Sequence, residues 1–178
     1  MPGKSENQAS LRRQVTATVA VTTALFLLPG WTGVTYITGG SHNLGALRGD
    51  GEPLSSHASS RWSGELRLVD LAVNTAVAAG LRADGTVISL GADTESWTDV
   101  TAVSASGAGV LGLRRDGSVY GSFFREGGAL DAASLTEVTA MAAGSTHSAF
   151  VHRDGTVTVL GDTTMGQGNT ASWRLTDG

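Results

Sequence analysis

The sequence predicts an all-β repeat protein. Three observations carry the prediction: a composition rich in glycine and poor in proline, an Asp-Gly pair that recurs at near-constant spacing, and apolar residues at fixed offsets from each pair. The 178 residues include 25 glycines and 3 prolines. Thr, Val, Ala and Ser are common, which favours short strands joined by tight turns over long helices. No period of three accompanies the glycine, and a hydrophobic content of 40% is enough for a packed core.

The pairs Asp50-Gly51, Asp84-Gly85, Asp116-Gly117 and Asp154-Gly155 lie 34, 32 and 38 residues apart. Sixteen places before each Asp stand Val34, Leu68, Val100 and Val138, each able to open a strand. Three places further on are Ile37, Leu71, Val103 and Met141; three before each Asp are Leu47, Leu81, Leu113 and Val151. Two residues past each Gly come Pro53, Val87, Val119 and Val157. Each unit therefore reads as a strand, a link, a second strand, an Asp-Gly hairpin turn and a third strand. Gly accepts positive φ at such a turn, and the Asp side chain can bond the turn backbone. Alternation in the third strands is imperfect, as expected where neighbouring units cover both faces.

Units of 32 to 38 residues cannot each bury a hydrophobic face alone, so they must stack. Ring-like stacking leaves few strand edges exposed. The expected fold is a shortened β-propeller, or a propeller-like array, of about four to five small blades spanning residues 34–178.

Residues 142–170, "AAGSTHSAFVHRDGTVTVLGDTTMGQGNT", place Gly144, His147, Asp154, Gly155, Val157, Gly161, Gly166 and Gln167 in one pattern. "ITGGSHNLGALRGDG", residues 37–51, is a second good match. In these positions the chain resembles the repeats of the regulator-of-chromosome-condensation family, over roughly residues 34–170. It departs from the family in its shorter units, in Leu90 and Leu160 where the family has Trp before Gly, and in keeping the Gly-Gln element only in the last unit. The resemblance implies a propeller. It also implies a binding or structural module of the bacterial and phage kind, because no insertion matches the β-wedge through which the family's founder acts in nucleotide exchange.

At the N-terminus, residues 1–13 are polar and residues 14–30, "QVTATVAVTTALFLLPG", are the most apolar stretch. Val15, Ala17, Val19 and Val21 alternate with Thr16, Thr18, Ala20 and Thr22, as in a strand. Residues 1–33 are expected to form a retained arm or ring-closing strand. The alternative is a signal or anchor segment flanked by Arg12 and Arg13. "ASWRLT", residues 171–176, is also read as strand-like. Residues 52–67 and 124–136 read as polar loops, where a propeller would hold a partner.

The chemistry-bearing residues fall into no catalytic, cofactor or metal constellation. A net charge of −4 with scattered arginines offers no field for a phosphate backbone, so nucleic acid is not the expected partner. The absence of cysteine removes disulfides, thiolate metal sites and thiol nucleophiles. His42, His57, His147 and His152 lack metal spacing, and His147 is expected to donate to a backbone carbonyl within its blade. Asp93, Glu95 and Asp99 alternate as in a calcium loop but lack its central Gly and terminal Glu, so a solvated turn is expected. No Gly-x-Ser-x-Gly elbow occurs with spaced partners. The tripeptide Arg48-Gly49-Asp50 is explained by the turn that follows it, and "GSHNLGALRGDG" lacks the Lys and the strand-to-helix setting of a phosphate loop.

Of the 12 basic side chains only Lys4 is a lysine, a bias typical of GC-rich bacterial genomes and their phages. The sequence reading is a non-enzymatic structural or binding protein without cofactor, located in a bacteriophage virion as a capsid decoration or tail protein. Its partners would be protein subunits of a larger, oligomeric assembly, with a membrane involved only if residues 14–30 anchor the chain. The alternative is a secreted or membrane-anchored bacterial module for protein or glycan ligands, extracellular or in the cell envelope.

Overall fold

The computed structural model describes residues 31–40, 43–56, 62, 65–107, 109–123 and 134–175. The arm expected at residues 1–33 lies outside these residues except for its last three. The twelve described strands are β1 (Val34–Gly39), β2 (Leu44–Arg48), β3 (Pro53–Ser55), β4 (Leu68–Val73), β5 (Ala78–Arg82), β6 (Val87–Leu90), β7 (Val100–Ala105), β8 (Gly109–Arg114), β9 (Val119–Phe123), β10 (Val138–Ala143), β11 (His147–His152) and β12 (Val157–Gly161). They form four antiparallel three-stranded sheets in the orders β1-β2-β3, β4-β5-β6, β7-β8-β9 and β10-β11-β12. All four openings and all four third strands begin at the residues that the spacing predicts. The described residues form a small β-propeller-like array of four blades.

The Asp-Gly turns form as their chemistry requires. Gly51, Gly85, Gly117 and Gly155 take φ of +86°, +83°, +82° and +80°. Each glycine N–H donates back to the carbonyl three residues earlier, as from Gly117 to Arg114 at 3.0 Å. The Asp carboxylate accepts from the backbone two residues on, as Asp116 Oδ1 does from the Ser118 N–H at 2.9 Å.

A further regularity lies in the first strand of each unit. Cross-strand pairing jumps from Val34 to Tyr36, Leu68 to Asp70, Val100 to Ala102 and Val138 to Ala140, one bulge per blade. The skipped residue is Thr35, Val69, Thr101 or Thr139. The three threonines donate Oγ1–H to the carbonyls of Leu47, Leu113 and Val151 at 3.4, 3.1 and 3.2 Å.

Three apolar clusters join the blades. Leu47 of the first packs with Leu68, Leu71 and Val73 of the second. Ala79, Leu81 and Val87 of the second pack with Trp97, Val100 and Val103 of the third. Leu111, Leu113 and Val119 of the third pack with Val138 and Phe150 of the fourth. The first strands of successive blades lie beside one another, β1 by β4, β4 by β7 and β7 by β10, with no comparable packing between the first and fourth blades among the described residues.

The strand expected at residues 171–176 does not form over residues 171–175, and Thr176 lies outside the described residues. Residues 171–172 form a turn and 173–175 follow without strand pairing. The hydroxyl of Thr170 donates to the Val157 carbonyl at 2.8 Å, as Thr94 donates to the equivalent Val87 carbonyl at 3.3 Å. The segment leaves the fourth blade as residues 91–99 leave the second, and its polar anchor outweighs the alternation that suggested a strand.

Candidate binding site

The loop after β3 forms one wall of a recess of about 300 Å³ lined by Asp50, Glu52, Pro53, Trp62, Glu65, Leu66 and Arg67. Pro53 opens β3, where the missing N–H costs little because β3 is an edge strand of its sheet. Trp62 is half-buried against the apolar cluster between the first two blades. The same ring also lines a second recess of about 200 Å³, bounded by Asn43, Asn74, Val77 and Leu90. Asn43 Nδ2 donates to the Asn74 carbonyl at 2.9 Å, fixing the two blades across that recess.

The first recess is acidic and partly neutralised. Glu52 pairs with Arg48 at 2.7 Å, and Arg67 Nη1 donates to the Asp50 carbonyl at 3.0 Å. Glu65 is exposed on the rim. An aromatic face beside carboxylates suits a basic or amphipathic side chain of a protein partner. Among the described residues, no group of three or more His, Cys, Asp or Glu side chains is placed to hold a metal ion.

A third, more open recess of about 450 Å³ lies at the fourth blade's turn, lined by Thr136, Glu137, His152, Arg153, Asp154 and Thr156. His152 is held there from both sides, Nδ1 at 2.9 Å from the Thr136 carbonyl and Nε2 at 2.8 Å from Thr158 Oγ1. His147 Nδ1 is buried without a hydrogen-bond partner among the described residues, so no bond from that nitrogen to a blade carbonyl is seen. His42 and His57 lie outside the described residues. In the Arg48-Gly49-Asp50 tripeptide, Arg48 is paired with Glu52 and Asp50 Oδ1 accepts from the Glu52 N–H at 3.1 Å.

The segment with Asp93, Glu95 and Asp99 has a structural role that the sequence reading missed. All three carboxylates belong to exposed residues, while Thr94, Trp97 and Val100 are buried at every third position. Trp97 stacks on Tyr120 with ring centroids 5.2 Å apart, and Arg114 lies 5.1 Å over the other ring. The available signal was position: Trp97 stands three residues before an opening valine, as Trp31 does.

The turn carboxyls Asp84, Asp116, Asp154 and Asp162 are held below the ordinary value of 3.8. The chief cause in each is a side-chain hydroxyl donating to the carboxylate, from Thr86, Ser118, Thr156 and Thr164, followed by the same residue's backbone N–H.

With this geometry established, comparison with solved structures bears out the fold. The chain is similar to the CRINKLY WD40 ectodomain of the Arabidopsis thaliana receptor kinase ACR4, at 19% identity and TM-score 0.63, over 80% of this chain and 53% of that one. It is similar to human WBSCR16 at 15% identity and TM-score 0.59, over 84% and 55%. It also matches the structure of Kap60 bound to yeast RCC1 (Prp20), at 12% identity and TM-score 0.51, over 72% and 42%. The chain spans about half the length of the propellers it matches. No protein-family model matches the sequence, and no curated protein sequence matches it closely enough to count as a relative.

Proposed function

We propose that the protein is a non-enzymatic binding module that holds a protein partner on the loop rim around Trp62, as a structural component of a larger assembly. The observation that carries the reading is the position of Trp62. Its half-buried ring lines two adjoining recesses, one of them edged by Asp50, Glu52 and Glu65. Aromatic side chains anchored by packing and rimmed by polar groups are what protein interfaces use as anchors.

The assembly we propose is a bacteriophage virion, with the chain as a capsid decoration or tail protein. Support comes from the arginine-for-lysine bias and from a repeat fold that presents loops on a stiff frame. Residues 1–33 would act as an arm docking onto a neighbouring subunit, in keeping with the alternation from Val15 to Val21. The second reading, a secreted or envelope module, is favoured by the apolar stretch 14–30 beside Arg12 and Arg13.

Mass spectrometry of purified particles and of membrane and culture-medium fractions separates the two. A fixed stoichiometry in particles, with intact N-terminal residues, supports the virion reading. A species in medium or membrane that has lost about 25 to 35 residues supports export. Trp62→Ala should release the chain from its assembly while leaving its fold intact; retention at full stoichiometry contradicts the role given to Trp62.

A further inference from the structure

The four Asp-Gly turns share a backbone but differ in what surrounds the carboxylate. Asp84, Asp116 and Asp154 each accept two bonds on Oδ1 from the residue after the glycine, an N–H at 2.9 to 3.0 Å and a hydroxyl at 2.6 to 2.7 Å. In the first turn Glu52 stands where the others have Thr86, Ser118 and Thr156. Asp50 Oδ1 accepts the Glu52 N–H at 3.1 Å, and Glu52 has no hydroxyl to add. The cation is diverted as well. Arg114 reaches Asp116 Oδ2 at 3.2 Å, whereas its equivalent Arg48 pairs with Glu52 at 2.7 Å. Gly51 is half-buried, while Gly85, Gly117 and Gly155 are buried.

Arg67 makes a further difference. It precedes Leu68, the opening residue of the second blade, and its Nη1 donates to the Asp50 backbone carbonyl at 3.0 Å. At the corresponding places before Val100 and Val138 stand Asp99 and Glu137, whose carboxylates have no hydrogen to donate.

These differences bear on a reaction open to any aspartyl-glycine bond, because glycine has no Cβ to keep its nitrogen away from the aspartyl side chain. Hydroxyl and N–H donors hold a carboxylate in place and favour its charged form. That form resists attack, since a protonated carboxyl can lose water and a bare carboxylate cannot. A donor on the preceding carbonyl acts in the other direction. It withdraws electron density from the amide, making the glycine N–H more acidic.

We propose that Asp50-Gly51 is a site of spontaneous modification, rearranging through a cyclic imide to isoaspartate ahead of the other three pairs, with Arg67 assisting. The Gly51 nitrogen gives its proton to water and attacks Asp50 Cγ; the N–Cγ bond forms, a Cγ–O bond breaks, and water leaves. Water then adds to the Asp50 backbone carbonyl carbon, which Arg67 polarises, and the original bond from that carbon to Gly51 breaks. One water is released and one is taken up, so the mass is unchanged. The product has one more atom in its main chain and a free carboxylate facing Arg67. It alters the wall of the recess that Asp50 and Arg67 line, and it shifts the Gly51 carbonyl on which the Leu68 N–H sits at 2.9 Å. The modification does not depend on Trp62 holding a partner.

Peptide mapping of the full chain after incubation at neutral pH and physiological temperature tests this, since trypsin places the four pairs in four different peptides. Isoaspartate is read as a retention shift at unchanged mass and as methyl acceptance from S-adenosylmethionine in the presence of an isoaspartyl methyltransferase. It should accumulate roughly tenfold faster at Asp50 than at the other three, the factor that one hydrogen bond to a charged group is worth. In urea the four rates should converge. Glu52→Thr, which supplies the missing hydroxyl, should bring Asp50 to the rate of the other turns, and Arg67→Met should also slow it. Equal rates at the four pairs in the folded chain overturn the proposal. So does the same ranking in urea, which would assign the difference to neighbouring sequence, or a rate at Asp50 that neither variant alters.

Discussion

Leu175 donates its N–H to the carbonyl of Gly155 at 2.9 Å, the fourth instance of a bond that Leu68, Val100 and Val138 make to Gly51, Gly85 and Gly117 at 2.9, 3.0 and 2.9 Å. Each Asp-Gly turn thus closes a hairpin and also seats the next unit. The glycine serves both purposes. Its positive φ makes the turn, and its missing Cβ lets the following strand approach: a Cβ on Gly117 would lie 3.0 Å from Glu137 Cα, and one on Gly155 2.6 Å from the Leu175 carbonyl oxygen.

Replacing Gly117 by Val should therefore cost on the order of 1 to 3 kcal/mol from φ strain, with a further loss from displacing Glu137 and Val138. Gly155→Val carries the same strain, but the exposed link at Leu175 can move aside, so its cost should be smaller. Urea denaturation of both variants measures the difference. Equal stability to the parent in both would remove the turns from the account.

Val69 is the one bulge residue of the four without a hydroxyl, and it is 41% exposed. Val69→Thr should give the second blade the bond that Thr101 makes to Leu113, adding about 0.5 to 1 kcal/mol. A Tm equal to or below the parent's would show that the three threonine bonds contribute nothing net.

Trp97 fills the junction between the second and third blades and leaves only 5% of its surface exposed. Trp97→Ala should cost about 3 to 5 kcal/mol. Gly112→Ala should also destabilise, because the added Cβ would meet the Trp97 ring at 2.8 Å. Thermal melts of the two variants check this, and a Trp97→Ala melt within two degrees or so of the parent contradicts the packing.

The carboxyls of Asp84, Asp116, Asp154 and Asp162 have folded pKa values below 3.8. A carboxyl depressed by folding contributes stability that is fully present above its unfolded pKa and is lost as pH falls through the lower, folded value. Tm should therefore be level from pH 7 to about 5 and decline below about pH 4. In Asp116→Asn the decline should be shallower. An acid limb identical to the parent's would assign the loss to other groups.

Much of this arrangement was legible because its determinants are local. Asp-Gly chemistry fixes each turn, and counting sixteen residues back reaches Val34, Leu68, Val100 and Val138, because each blade repeats one hairpin geometry. The links were harder to read. Asp93, Glu95 and Asp99 make their segment look solvated, while Thr94 and Trp97 turn inward at a spacing of three that matches neither helix nor strand. Residues 171–175 misled in the opposite direction, since their alternation is apolar enough for a strand but Thr170 is tied to the Val157 carbonyl. Trp62 could not be singled out, because its significance comes from the second blade, which packs beside it only after folding.

Native-state hydrogen exchange at the seating amides tests the central claim most directly, that each blade is held by the glycine carbonyl of the blade before it. The account predicts that the N–H groups of Leu68, Val100 and Val138 exchange as slowly as the central amides of β5 and β8, through global unfolding, with Leu175 faster because its side chain is half exposed. Exchange at Val100 and Val138 as fast as in the exposed turn residues Asp84 and Asp116 would contradict it.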